Sequence, residues 1–183
     1  MGIALQRTLR TATGCRGVGL HGGRNVTITI RPADADTGIV FRRLDAGVEI
    51  RARWNNTVAS ALSTVVSNGE GIRVGTIEHL MAAFAGSEVD NAVVDLDGPE
   101  VPIMDGSAAP FMYLMKRAGT VVQDAARRAV KVLKPVSVSE NGAAAELLPD
   151  HGFSMSFEID FDNPLIRART CWSRSRPAPS RPN

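Results

Sequence analysis

The sequence predicts an α+β fold, a two-layer sandwich in which a small sheet packs against two helices. Two segments, ending at Gly86 and Gly119, have apolar residues at helical spacing on one face. Segments on both sides of them alternate apolar and polar residues, as half-buried strands do. Because each helix and each strand has one apolar face to cover, helices layered on a sheet are the arrangement that buries both.

The N-terminal third is predicted to consist of strands joined by tight turns. The clearest alternation lies at residues 26–30, and Pro32 is expected to end that strand. Residues 57–66, rich in Ser, Thr, Val and Ala, fit either a strand or a helix. Residues 14–23 predict a glycine-rich turn, because so many glycines indicate positive φ angles or the close approach of another group. Further strands are predicted at residues 5–9, 38–44 and 48–54.

A short helix is predicted between Thr76, as N-cap, and Gly86, as stop. Glu78 and His79 then lie in the first turn, where unpaired N–H groups and the helix dipole favour a carboxylate. A carboxylate next to an imidazole at a helix start can place a proton shuttle beside a metal ligand. Ordinary dipole chemistry with a surface histidine explains the same pair. The predicted apolar face consists of Ile77, Leu80, Met81 and Phe84.

A mostly apolar strand at residues 91–96 is predicted to follow this helix. Residues 97–106 come next, and their Gly and Pro content predicts a loop rich in turns. Ser107 is expected to cap a second helix, with Pro110 tolerated in its first turn. The apolar stripe of that helix is predicted to consist of Phe111, Leu114, Met115 and Ala118.

The C-terminal part is predicted to begin after a polar stretch at residues 123–128. Strands are expected at residues 129–138, 143–148 and 153–161. In the last of these, five large apolar side chains share one face, and we expect that face to be buried. Leaving it in water would cost about 1.5–3 kcal/mol per side chain. The five residues are Phe153, Met155, Phe157, Ile159 and Phe161.

The last segment, residues 167–183, has five Arg, three Pro and three Ser, with no acidic residue and no periodic pattern. It is therefore predicted to be disordered. It could instead be a basic arm for nucleic acid or anionic lipid, or sequence that is not native to this fold. Without it the chain has 16 basic and 19 acidic residues. This mildly acidic body argues against nucleic-acid binding by the folded part.

The composition is that of a globular protein. With 183 residues, the chain is long enough for one or two domains with a core. No apolar run approaches the ~20 residues that span a bilayer, and the N-terminus has no signal-peptide pattern. Cys15 and Cys171 stand far apart and outside any CxxC motif. They are expected to be free thiols in a cytoplasmic protein.

Three motifs follow one another along the chain: Gly17–Gly23 (GVGLHGG), Thr76–Leu80 (TIEHL) and Ile103–Phe111 (IMDGSAAPF). Together, in this order, they closely resemble the UDP-3-O-acyl-N-acetylglucosamine deacetylases, the zinc amidases of bacterial lipid A synthesis. The resemblance covers roughly residues 5–165. It implies a fold of two similar halves, each a small sheet with two helices, and an active site between the halves.

The resemblance also implies a division of the chain. Residues 5–128 would be the complete first half and residues 129–165 the beginning of the second. Residues 166–183 would be the disordered tail. By resemblance, the catalytic unit would be a single chain in the cytoplasm. Neither membrane insertion nor a nucleic-acid partner is expected.

The chemistry implied is hydrolysis of the N-acetyl group of a UDP-linked, O-acylated glucosamine, with zinc polarising the carbonyl and activating water. By resemblance, Glu78 matches the general base and His79 a zinc ligand. Asp105 is either a residue close to the site or a structural turn and cap residue. The candidate substrate-binding residues are His21, near the site, Leu62 and Ser63, in the acyl-chain passage, and Asp105.

The chain departs from the family at the metal site. The resemblance implies a His-x-x-x-Asp arrangement, which supplies two more zinc ligands, and a further histidine. This chain has three histidines, none followed four positions later by Asp, and His151 is expected at the surface. Two zinc ligands are therefore expected to be missing.

Three interpretations stay open: a zinc amidase by family, an inactive truncated fragment, or a binding module with a basic tail. The loss of pattern after Leu165 suggests a frameshifted or truncated product.

Overall fold

A computed structural model describes residues 4–161, 165 and 167–174 of the chain. Two helices and a larger number of strands confirm the predicted α+β class. The chain forms two compact units, Met1–Arg128 and Ala129–Asn183. The unit boundary therefore lies next to residues 123–128, where the polar stretch predicted one.

The first unit contains both helices that the described residues form. Neither has the length and apolar composition needed to cross a bilayer. In chain order the elements are β1 (Leu5–Leu9), β2 (Thr13–Val18), β3 (Asn25–Pro32), β4 (Ile39–Arg43), β5 (Val48–Arg51), a 3-10 turn (Trp54–Asn56), β6 (Thr57–Val58), β7 (Val65–Ser67), β8 (Arg73–Val74), α1 (Glu78–Gly86), β9 (Ala92–Leu96), α2 (Ala109–Ala118) and β10 (Thr120–Ala126).

A five-stranded sheet in the order β2-β3-β9-β4-β5 forms the centre of this unit. Strand β9 pairs in parallel with β4 and antiparallel with β3. Alternation along the strands puts one apolar face toward the helices, and the buried cluster contains side chains from both layers. Fully buried members include Ile28, Ile30, Phe41, Leu96, Leu80, Phe111 and Met115.

Two smaller sheets complete the first unit. Strands β6, β7 and β8 form one, so the ambiguous residues 57–66 are two short strands and a loop. Strands β1 and β10 form the other. The polar end of β10 was not predicted as a strand, and tertiary bonds explain it. Gln123 Nε2 donates to the Ala33 carbonyl, and Arg127 Nε donates to Asp90 Oδ1 at 2.7 Å.

The glycine-rich stretch is only partly a turn, which corrects the prediction for residues 14–18. These residues belong to β2, which pairs with β3 along its whole length. Gly14 is required there because a Cβ atom would lie 2.3 Å from the Ile28 carbonyl oxygen. The turn itself follows β2, and hydrogen bonds from Gly19 N to Arg24 O and from Gly23 N to Gly19 O close it.

The second unit consists of two antiparallel ribbons in the described residues. Strands β11 (Val136–Glu140) and β12 (Ala143–Leu147) form the first. Strands β13 (Ser154–Asp160) and β14 (Ala168–Arg174) form the second. Residues 129–135, predicted as part of a strand, have no regular structure, and Val130 is 95% exposed.

Two predictions for this unit are wrong. The five apolar side chains of residues 153–161 are not buried but 43–65% exposed, because a two-stranded ribbon cannot cover its own face. Strand β14 lies inside the segment expected to be disordered. Backbone pairing with β13, from Asp160↔Ala168 to Ser154↔Arg174, forms this strand without an alternating side-chain pattern. The rest of the predicted tail, residues 175–183, lies outside the described residues.

Candidate functional site

The first turn of α1 contains the two residues singled out by the sequence. Glu78 is the first residue of the helix and His79 the second. Glu78 Oε1 lies 4.0 Å from His79 Nε2, and their side chains are 36% and 27% exposed. The carboxylate is therefore at the positive end of the helix dipole and still accessible to a substrate. This position suits a proton acceptor that works beside an imidazole.

A loop fixes the orientation of the Glu78 carboxylate. Thr64 N donates to Glu78 Oε2 at 2.9 Å, and Ile77 N donates back to the Thr64 carbonyl at 3.3 Å. Leu62 and Ser63 immediately precede Thr64, so both candidate passage residues belong to the loop that bonds to Glu78. Leu62 is 82% exposed. Ser63 Oγ lies 3.1 Å from Ser60 Oγ within the same loop.

Thr76 does not cap α1, which corrects the prediction. The residue at the N-cap position is Ile77, and its side chain makes no capping bond. Thr76 has φ = 55°, in the left-handed region that a β-branched residue rarely adopts. Its hydroxyl is turned away from the helix and donates to Glu100 Oε1 at 2.8 Å. Gly86, the predicted stop, is the last helical residue, and Ser87 follows as C-cap.

Glu100 accepts hydrogen bonds from two further donors, both in the glycine-rich turn. His21 N lies 2.9 Å from its Oε1 and Gly22 N lies 2.9 Å from its Oε2. Gly19 also borders the carboxylate, since a Cβ atom there would lie 2.5 Å from Oε2. Glu100 is only 6% exposed. The main-chain N–H groups beside His21 therefore bind an internal carboxylate.

The pKa of the Glu100 carboxyl group reflects these contacts. Burial raises its pKa, but the hydrogen bonds from His21, Gly22 and Thr76 outweigh burial and hold it below the ordinary value. The imidazole of His21, when protonated, lowers the pKa further. Glu100 is therefore ionised at neutral pH. Sequence reasoning missed this residue; the available signal was a lone glutamate between Pro99 and Pro102 in a glycine-rich loop.

Asp105 makes its hydrogen bonds within its own loop. Its Oδ1 accepts from Ser107 N and from Ser107 Oγ, both at 2.9 Å. These bonds hold the pKa of Asp105 below its ordinary value, and a protonated His79 would lower that pKa further. Ser107 Oγ accepts from Ala109 N, although Ala108 occupies the N-cap position of α2. These hydrogen bonds support the interpretation of Asp105 as a turn residue, and its role close to the site stays a prediction.

Main-chain hydrogen bonds connect the three sequence motifs through the loop between β9 and α2. Gly75 N donates to Pro99 O, and Val101 N donates to Gly75 O. Ile103 N donates to Val18 O at the end of β2. The loop therefore lies between the glycine-rich turn and the residues that precede α1. The structure brings His21, Glu78, His79 and Asp105 into one connected region of the first unit.

The described residues do not build a complete metal site. No group of three or more His, Cys, Asp and Glu side chains among them is placed to bind a metal ion. Catalytic zinc usually has three protein ligands and a water, so His79 alone does not satisfy it. His151 lies in the second unit and is exposed, as expected, with its N–H donating to Asp150 Oδ1.

Comparison with known proteins gives a consistent family match. The family model described as LpxC, UDP-3-O-acyl N-acetylglycosamine deacetylase, matches residues 6–178, beyond the last of the three motifs and into the arginine-rich segment. A UDP-3-O-acyl-N-acetylglucosamine deacetylase of Vibrio vulnificus (strain YJ016) is 47% identical over 163 residues, covering 88% of this chain and 53% of the relative. The enzyme of the same name from Pseudomonas entomophila (strain L48) is 48% identical over 167 residues, covering 90% and 55%. The chain spans about half the length of the curated relatives it matches.

Proposed function

Because the chain belongs to the UDP-3-O-acyl N-acetylglycosamine deacetylase family, we propose that it takes part in hydrolysing the N-acetyl group of UDP-3-O-acyl-N-acetylglucosamine in lipid A biosynthesis. The relatives that it matches have this substrate and reaction in their names. The observation that supports the proposal best is the accessible Glu78 carboxylate, oriented by Thr64 N–H beside His79. A cytoplasmic location and a monomeric catalytic unit stay predictions of the resemblance.

We propose that Glu78 is the general base. Its carboxylate accepts a proton from a water molecule while the water oxygen attacks the acetyl carbonyl carbon. The tetrahedral intermediate then breaks its C–N bond, and the proton passes from Glu78 to the departing amine. Acetate and the free glucosamine amine are the products. A positioned base of this kind contributes about 10²–10⁴-fold to the rate.

Zinc is the cofactor that the family implies, and we propose His79 as one of its ligands. When bound, zinc polarises the carbonyl group and activates water. Catalytic zinc usually takes three protein ligands, and no group of three or more candidate ligands occurs among the described residues, so they do not fit a complete site. The chemistry proposed for this chain's own residues is therefore confined to proton transfer by Glu78.

The remaining site residues are proposed to bind the substrate. Leu62 is exposed in the loop that bonds to Glu78, where it can contact an acyl chain. Ser63 lies beside it in the chain. His21 and Asp105 lie on the two segments next to α1. The His21 imidazole can donate to the sugar or its phosphates, and the Asp105 carboxylate can accept from sugar hydroxyl groups. A substrate held by these residues would have its acetyl group close to Glu78.

The test uses a hybrid enzyme in which this chain replaces the matching 163 residues of the Vibrio vulnificus relative. We expect the hybrid, supplied with zinc, to release acetate from the UDP-linked substrate. Glu78→Ala should lower kcat by about 10²–10⁴-fold. Glu70→Ala, at an exposed loop carboxylate, is the matched control and should leave kcat unchanged. A folded hybrid without turnover, or one whose Glu78→Ala variant keeps full activity, would exclude this function.

A further inference from the structure

We infer that Glu100 is a positioning residue, whose carboxylate fixes the helix start with Glu78 relative to the glycine-rich turn with His21. The inference rests on the proposed function, because it concerns the same site. Glu100 lies on a third segment, the loop between β9 and α2, and is separated by 24 residues from Thr76 and by 79 from His21. One side chain therefore bonds to two segments that the sequence keeps far apart, in addition to the main-chain hydrogen bonds of the same loop.

The hydrogen bonds of Glu100 occupy both of its oxygen atoms. Oε1 accepts from His21 N at 2.9 Å and from the Thr76 hydroxyl at 2.8 Å, while Oε2 accepts from Gly22 N at 2.9 Å. All three partners are donors, so they require an acceptor on each oxygen. A glutamine would have the same size, but its NH₂ group would face at least one N–H or O–H donor. The site therefore depends on the carboxylate and not only on the volume of the side chain.

Because the backbone at Thr76 is strained, its hydrogen bond to Glu100 also affects the position of Glu78, the proposed base. A threonine at φ = 55° persists only where its surroundings hold it. The bond to Glu100 holds its side chain, and the bonds between Gly75 and the main chain of Pro99 and Val101 hold the residue before it. Glu78 follows two residues later as the first residue of α1. Releasing Thr76 from Glu100 would therefore let the helix start, and with it Glu78, change position.

The first experiment uses backbone NMR of the purified full chain, comparing the unchanged sequence with Glu100→Gln and with Glu70→Gln as control. In Glu100→Gln we expect the His21 and Gly22 amide protons to exchange at least about tenfold faster. We also expect the amide resonances of Thr76, Glu78 and His79 to shift. On acidification of the unchanged chain, the His21 and Gly22 resonances should follow the ionisation of Glu100, and Glu100→Gln should abolish that titration. Glu70→Gln should change none of these signals.

The outcomes separate positioning from simple packing. Faster exchange at His21 and Gly22 with unmoved resonances at residues 76–79 would show that Glu100 closes only the glycine turn, which would overturn the inference. If Glu100→Gln does not fold, Thr76→Val is the second variant. It removes only the hydroxyl group that donates to Glu100, and should shift the Glu78 and His79 resonances while leaving His21 exchange slow. Unshifted resonances in a folded Thr76→Val variant would equally overturn the inference.

The second experiment measures kinetics in the hybrid enzyme. We expect Glu100→Gln to lower kcat by about 10–10²-fold, since a misplacement of about 1 Å in a site costs this much, with KM changed less than about threefold. An active hybrid whose kcat is unaffected by Glu100→Gln would contradict the inference. If the hybrid with Glu100 intact gives no turnover, the proposed function fails, and the NMR shifts at residues 76–79 still decide whether Glu100 positions the helix start.

Discussion

Asp95 shows how one buried carboxylate can organise the solvent side of the central sheet. It alternates along β9 with Val94 and Leu96, so it lies on the face opposite the core. Its side chain is only 3% exposed, and Arg31 Nε and Arg42 Nε donate to its two oxygens at 2.6 Å each. The arginines belong to the strands on either side of β9. Asp95 therefore links three strands through their side chains in addition to their backbone bonds.

We predict that Asp95→Asn destabilises the first unit by roughly 1–3 kcal/mol at pH 7, the range for removing hydrogen bonds to a charged group. Burial raises the pKa of Asp95, but the hydrogen bonds from Arg42 and Arg31 outweigh it and hold the pKa below its ordinary value. Because the folded-state pKa is depressed, this stabilisation is present above the ordinary pKa and is lost as the pH falls through the folded-state pKa. Urea unfolding at pH 7 and pH 3 measures both effects.

Comparing the measurements at pH 3 and pH 7 tests whether the charge of Asp95 is responsible. The difference in unfolding free energy between the unchanged chain and Asp95→Asn should shrink at pH 3. Asp124→Asn, at an exposed carboxylate on β10, should change the unfolding free energy by less than about 0.5 kcal/mol. A difference that is the same at both pH values would mean that Asp95 stabilises the sheet by packing and not by its charge.

At the scale of elements, the pairing of β2 with β3 depends on the absence of a side chain at Gly14. A Cβ atom there would lie 2.3 Å from the Ile28 carbonyl oxygen, which belongs to the neighbouring strand and cannot move without separating the ladder. We predict that Gly14→Ala lowers the free energy of unfolding by about 1–3 kcal/mol. Thermal unfolding followed by circular dichroism gives the measurement.

The control for Gly14→Ala is Gly152→Ala, where a Cβ atom would meet no other heavy atom within 4 Å. We expect that variant to unfold within about 0.5 kcal/mol of the unchanged chain. If both alanine variants were equally stable, β2 would have to shift along β3 at little cost. The ladder from Thr13↔Ile30 to Val18↔Asn25 would then be less strongly held than its continuous pairing indicates.

Strands that alternate apolar, core-facing residues with polar ones could be predicted from the sequence. Strands that depend on pairing with distant segments could not. Strand β3 shows its buried face directly in Val26, Ile28 and Ile30. Strand β10 is partly polar, and its partners are β1 and Ala33, about 90 or more residues away. Strand β14 likewise depends on its pairing with β13. A strand that forms because it pairs with a distant segment does not need alternating apolar and polar residues, so its own sequence does not reveal it.

The candidate site follows the same rule. Glu78 and His79 stand next to each other in the sequence, so a helix start alone predicts that they lie together. Glu100 was missed because each of its donors lies 24 or more residues away along the chain. Thr76 was expected to cap α1 because a threonine before a helix usually does so. Its left-handed backbone and its bond to Glu100 appear only when the loop after β9 is in place.

At the scale of the whole molecule, the first unit has a well-packed core, whereas the apolar face of the β13–β14 ribbon is exposed in the described residues. Phe153, Met155 and Phe157 are 65%, 52% and 48% exposed. The chain also matches only 53–55% of the length of its relatives. Among the described residues, His79 does not belong to any group of three or more His, Cys, Asp and Glu side chains that could bind a metal ion. These facts lead to a prediction about metal binding.

We predict that the purified chain, dialysed after exposure to zinc, retains far less than one zinc ion per molecule and releases no acetate. A single imidazole leaves the metal largely solvated, and catalytic sites usually need three protein ligands.

The hybrid with the remainder of the Vibrio vulnificus relative should retain about one zinc ion, and His79→Ala should reduce that content. His151→Ala, at an exposed histidine of the second unit, is the control and should leave it unchanged. Elemental analysis and the acetate assay on the same samples test both statements. Stoichiometric zinc and turnover in the chain alone would mean that it completes the metal site itself, and that His79 has partners beyond the described residues.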